Sequence, residues 1–417
     1  MRTTDRHRSC DTAMDLAATR SKWWRLAFGL LLASAALLEP AAARQPHGGT
    51  ALAYVGSYTP NGTGIALLRL DEATGHLTLL KTFPAVNPSF LAIDPQRQHL
   101  YAVNEISNFL GGTTGAVSAF SIDPNSGDLT LLNQVSSGGA GPAHLSVDPS
   151  GRFVLVANYG GGNVAVLPIL PTGALGSASD VQSDVNACLP ACAVGPTKAA
   201  SAPPGSFAVS GHDAPHAAMI QTDPAGQFVL VNDIGLDRTI VWAFDRVNGK
   251  LLAPSTVPSS AGAGPRHFAF HPDGSHVYSI NEEASTIAVM AYDAGSGSLT
   301  PVQEISTLPR DFAGTSFASE VAVSHDGRFV YAANRLSDSV MSFAVKADGT
   351  LVRQRDAWTH GDYPRQFSLD PSGRFMLVGN QRSDNLTSYR VEAGELTFTG
   401  TYAGIASPAC ILFVTLP

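Results

Sequence analysis

The sequence predicts an all-β fold, a seven-bladed β-propeller with four antiparallel strands per blade. Three observations carry the prediction. An apolar strand, a tight turn, a second strand and a polar residue follow one another over residues 142–158. The same order returns over 215–232, 265–281, 319–334 and 364–380, and more loosely over 88–104. A period of roughly 40–50 residues made of strands alone marks a propeller rather than a solenoid. The third observation is a phase mismatch. Strands that follow the turn begin near Leu52, Leu100, Phe153, Phe228, Val277, Phe329 and Phe375, and strands that precede it begin near Pro88, Pro142, Pro215, Pro265, Ser319, Pro364 and Pro408. The two series are offset by one, so the C-terminal strand is expected to complete the N-terminal blade. Closure of that kind hides the two sheet edges that would otherwise invite aggregation.

In chain order, Arg20, Lys22 and Arg25 precede an apolar run over 26–38 and then Ala41-Ala42-Ala43. Basic, apolar and small-residue regions in that order read as a secretory signal peptide over 1–43, with Met14 an alternative start. A linker over 44–50 and the propeller over 51–417 follow. The apolar run is short for a bilayer and no later segment approaches one, so no membrane span is expected after cleavage. The predicted location is periplasmic or secreted. Removing 1–43 takes six basic and four acidic side chains with it, and the formal charge moves from −8 to −10. That balance speaks against nucleic acid or an anionic membrane as partner. Hydrophobic content of 44% against 14% charged suits a soluble protein with an ample core, expected as a monomer.

Within each repeat we label the strand before the turn a, the one after it b, and the next two c and d. Strand b is an apolar run such as Phe153-Val154-Leu155-Val156; strand d is of the Leu77-Thr78-Leu79-Leu80 type. The turns Asp148-Pro149-Ser150-Gly151, Asp223 to Gly226 and Asp370 to Gly373 read as structural: Pro presets φ and Gly permits the positive φ that closes a hairpin. One segment breaks the rhythm. Residues 173–211, rich in Ala, Ser and Pro, read as an irregular insertion between strands c and d of the third blade. It holds Cys188 and Cys192, which an oxidising compartment could join, whereas Cys410 lies in an apolar strand and reads as a buried thiol.

In a propeller strand a lines the central channel, so polar residues that interrupt it are candidates for chemistry: His144, His216, Arg266, His267, Glu320 and Arg365. The ends of strand b add Asn104-Glu105, Asn158-Tyr159, Asn232-Asp233, Asn281-Glu282, Asn334-Arg335 and Asn380-Gln381. The repeated Asn reads as a lock between blades. The Arg, His and Glu do not repeat, and structure repeats where a site need not.

Gly264-Pro265-Arg266-His267, His271-Pro272, Asn281-Glu282, the run from Asp326 to Arg335, and Tyr363-Pro364-Arg365 with Asp370 carry a resemblance. In this order, they resemble the seven-bladed lactonases of the 6-phosphogluconolactonase and carboxymuconate lactonising type. The resemblance implies that His216, Arg266, Glu282 and Arg335 are catalytic; His144, His267, Glu320 and Arg365 are expected to complete the pocket and bind substrate. A lactonase needs a base, which Glu282 or His216 could supply. It also needs donors for the oxyanion and for the acid, which suits Arg266 and Arg335. The implied activity is metal-independent hydrolysis of a sugar aldonolactone, with no cofactor and a small lactone or carboxylate as partner. Two alternatives are carried: a cycloisomerase acting on a muconolactone, and a non-catalytic scaffold propeller. A calcium-dependent lactonase is disfavoured by three arginines near the axis. A serine hydrolase is disfavoured by the lack of a Gly-x-Ser-x-Gly elbow.

Overall fold

The computed structural model describes residues 50–187, 192–209 and 211–416. The leader expected over 1–43 and Cys188, with its expected pairing to Cys192, lie outside the described residues. Among the described residues there are seven four-stranded antiparallel sheets. The first is made of Thr50–Ser57, Gly64–Asp71, Leu77–Pro84 and the distant strand Pro408–Val414. Tyr54 pairs with Leu412 and Val55 with Ile411. The C-terminal strand therefore closes the ring in the N-terminal blade, as the phase mismatch predicts. Its Cys410 is buried and free, and burial pushes the thiol up to about 12.

The inner strands of blades two to seven are Leu91–Ile93, Pro142–Val147, Ala217–Thr222, Pro265–Phe270, Phe317–Val323 and Pro364–Leu369. The strands beside them, such as Phe153–Asn158 and Phe375–Asn380, are buried at every position. Each is covered on both faces by neighbouring blades, which is why it reads as a continuous apolar run rather than an alternation. Blade five, for example, packs Tyr278, Ile280, Ile287 and Val289 against Val321, Val330, Ala332 and Phe343 of blade six.

Side-chain polar groups do the local work the sequence suggests. Asp148 accepts from the amides of Arg152 and Phe153 at 2.8 and 2.7 Å while Gly151 sits at φ +69°. Asp370 repeats the arrangement with Phe375. The terminal Asn of strand b donates to the preceding interblade link: Asn104 to Val86 O, Asn158 to Ser137 O, Asn334 to Thr307 O and Asn380 to Thr359 O.

The insertion is placed differently from expectation. Strand d of the third blade is the short Asp180–Ser183, paired with Asn163–Pro168, and a four-residue helix Asp184–Ala187 follows. The irregular segment therefore lies between that strand and Ala217–Thr222 of blade four, not between strands c and d. Four residues without the Leu-Thr-Leu-Leu signature gave no pattern to read.

Candidate active site

A β-bulge repeated around the ring aims side chains into the channel. In blade three, Pro142 pairs with Asn158 and His144 with Ala157, leaving Ala143 as the extra residue. Ala218 is the extra residue in blade four and Arg365 in blade seven. In blade five Arg266 and His267 together face Ile280, since Pro265 pairs with Asn281 and Phe268 with Ser279. A bulge sets two residues against one and re-aims the side chain at that point. Here it delivers Arg266 and His267, neighbours in sequence, to the same cavity.

That cavity, of about 150 Å³, is lined by residues from three positions of the strand register. Glu105, Tyr159, Glu282 and Arg335, each just after the terminal Asn of a strand b, line its upper part. The bulge residues Ala143, Ala218, Arg266 and Arg365 form its waist. His267 reaches it from the level below.

Glu282 sits between two guanidinium groups, with Oε2 2.7 Å from Arg335 Nη2 and 3.3 Å from Arg266 Nη1. Burial alone would raise its pKa, but Arg335 and Arg266 outweigh burial and hold it at about 2. Arg266 also donates from Nε to Ser319 O at 2.8 Å, and Arg335 from Nη2 to Ala318 O at 3.1 Å. Burial, and then the proximity of Arg335, lower the pKa of Arg266. A buried charge cluster persists only when pairing and hydrogen bonds are this complete. Across the cavity Arg365 donates to Tyr58 Oη at 2.6 Å, and Tyr58 donates to Glu105 Oε2 at 2.7 Å. Three guanidinium groups thus face two carboxyl groups.

His267 directs Nδ1 at both oxygens of Glu320, 3.2 Å away. Burial, then Arg266 and Arg365, push the pKa of His267 well below its ordinary value. Burial raises Glu320 to about 7. Below this pair lies a separate cavity of about 480 Å³, lined by His144, Met219, Glu320 and Gln366 among others. His144 packs on Phe90 and on the edge of His267, with Nδ1 3.4 Å from the amide of Ile220. Burial lowers its pKa, and accepting that amide suits the neutral ring.

Five of the eight residues singled out in the sequence (Arg266, His267, Glu282, Arg335 and Arg365) therefore converge on one cavity. Two, His144 and Glu320, line the cavity below. His216 precedes strand a rather than interrupting it. In blade four the residue opposite the end of strand b is Ala217, paired with Asp233, so alignment on Pro215 is out of step with the other blades. His216 stacks on Tyr159 at 4.2 Å, with Nδ1 2.9 Å from Tyr159 O and Nε2 2.8 Å from Asp213. Tyr58 was not legible as a channel residue. Its strand ends at Ser57, just before it, without the Asn that flags Glu105 and Glu282.

A model of the family described as "Lactonase, 7-bladed beta-propeller" matches residues 52–413. The 6-phosphogluconolactonase of Bacillus subtilis is 32% identical over 368 residues, 87% of this chain and 98% of that protein. That of Formosa agariphila is 31% identical over 76% of this chain and 86% of its own length. Among solved structures, the periplasmic gluconolactonase of Pseudomonas aeruginosa superposes with a TM-score of 0.78. It is 30% identical, over 88% of this chain and all of the other.

Proposed function

This chain belongs to the seven-bladed β-propeller lactonases, and we propose that it hydrolyses a sugar lactone of the aldonolactone class in the cavity above His267. The observation that supports this reading is the convergence of Arg266, Arg335 and Arg365 on one buried cavity, with Glu282 holding the first two in place. Attack of water on a lactone carbonyl builds negative charge on its oxygen. Preorganised donors in a site with little water stabilise that charge far better than bulk solvent does. Arg266 and Arg335 take that role. Arg365, fixed through Tyr58 and Glu105, faces the carboxylate that ring opening creates.

Glu282 serves as the clamp of the two arginines. With its carboxylate shared between two cations and held at about 2, it has little tendency to accept a proton near neutrality. His216 shapes the rim through its stack on Tyr159 and its bond to Asp213. The leader over 1–43 supports export, and with it a periplasmic or secreted setting and an unphosphorylated substrate. Among the described residues no helix is long and apolar enough to cross a membrane.

The test is titration at constant pH of the purified protein with glucono-1,5-lactone and with its 6-phosphate. Acceleration over the spontaneous rate is the expected result, with the unphosphorylated lactone preferred if the enzyme works outside the cytoplasm. No acceleration with either overturns the reading.

A further inference from the structure

Hydrolysis requires a lone pair that can take a proton from water, and most candidates around the cavity are already engaged. Glu282 is divided between Arg266 and Arg335. Glu105 accepts from Tyr58 Oη and from Ser89 Oγ. His216 has Tyr159 O at one ring nitrogen and Asp213 at the other. His267 differs. Its Nδ1 is occupied by Glu320, and its Nε2 has no hydrogen-bond partner among the described residues. It is also the one residue of its level that lines the cavity holding the arginines.

We propose that His267 is the general base of the lactonase reaction, taking a proton from the attacking water at Nε2 while Glu320 holds its Nδ1–H. The proposal rests on the lactonase reading above. A carboxylate on Nδ1 fixes the tautomer whose Nε2 lone pair is free and steadies the imidazolium that forms. The bulge makes the geometry possible, because it presents Arg266 and His267 to one substrate, donor beside base.

The step balances without any further reagent. An O–H bond of water breaks, its proton goes to Nε2, and the oxygen bonds to the lactone carbonyl carbon. The oxyanion between Arg266 and Arg335 collapses, the ring C–O bond breaks, and the leaving alkoxide takes the proton back from Nε2. One water is added and the hydroxy acid then ionises.

Six charged or titratable groups set the protonation of His267: Glu320, His144, Arg266, Arg365, Glu282 and Arg335. Burial and the nearby arginines keep the ring neutral at working pH, while Glu320, raised to about 7, titrates with it as a pair. The pair gains a proton as pH falls through about 7, so kcat/KM should fall on the acidic side around that point.

Three variants decide the matter, each with circular dichroism to check folding. His267→Gln should lower kcat by about 10²–10⁴-fold with little change in KM. Added imidazole should restore part of the activity of His267→Ala, which a purely structural role would not allow. Glu320→Gln, acting only through His267, should move the acidic limb of the kcat/KM profile to lower pH. Full kcat in folded His267→Gln overturns the proposal, as does an unmoved acidic limb in Glu320→Gln should the His267 variants not fold. Either result in an active wild type leaves the lactonase reading standing, whereas a wild type inactive on every lactone removes both.

Discussion

Asp233 and Glu282 hold equivalent places in consecutive blades, each directly after the Asn near the end of strand b, and both are buried. Their electrostatic fates are opposite. Glu282 faces two guanidinium groups and is held at about 2. Among the described residues no arginine forms an ion pair with Asp233. It accepts the amides of His216 and Leu236 at 2.9 and 2.8 Å and shares its surroundings with the buried carboxyl of Asp184. Burial pushes this pair of carboxyl groups upward, so the two together retain a proton that isolated carboxyls would lose. The bulges of the same blades differ in parallel: Arg266 in blade five, Ala218 in blade four. The backbone repeats, and one substitution at one repeated position decides whether a blade supplies charge or room. The arginine side of the ring gathers charge around the cavity, and the alanine side leaves it room.

That contrast can be broken from either side. The largest effect should come from Glu282→Gln, which leaves Arg266 and Arg335 buried without their common anion. Breaking a buried pair in this way costs about 3–5 kcal/mol, read as a lower Tm together with loss of turnover. Next, Arg266→Ala should reduce kcat by about 10²–10³-fold if it faces the developing oxyanion; unchanged kcat would remove it from the mechanism. Filling the opposite side with Ala218→Leu should raise KM by about tenfold and spare much of kcat, because it takes up room rather than charge. The smallest effect concerns pH. The Asp184–Asp233 pair has raised pKa values, so its contribution is fully present below the ordinary carboxylate value and is lost as pH rises. Asp184→Asn should therefore raise Tm more at pH 8 than at pH 5, and equal shifts at both would contradict the shared proton.

The ring could be read from the sequence because it rests on counting. Seven strands b and seven strands a, out of step by one, leave a single economical arrangement, and the register of Tyr54 with Leu412 bears it out. The convergence of Arg266, Glu282 and Arg335 followed from the same equivalence. What failed to show were departures by a residue or two. Pro215 looks like the prolines that open other inner strands, but the strand of blade four begins at Ala217, which leaves His216 outside it. A strand of four residues, Asp180–Ser183, was swallowed by the insertion. The bulges themselves leave no mark in the sequence, because one extra residue in a short strand looks like any other. They nevertheless determine that Arg266 and His267 share a cavity while Glu320 opens to the one beneath.

The closing strand has a consequence for how the molecule comes into being. Pro408–Val414 leaves the ribosome some 350 residues after the strand it must join, and until then the first sheet has an open flank. The circle therefore cannot close before that strand has been made. Until that strand has been made the first sheet stays unclosed, and an unclosed sheet is the form that can still be drawn out and passed through a narrow pore.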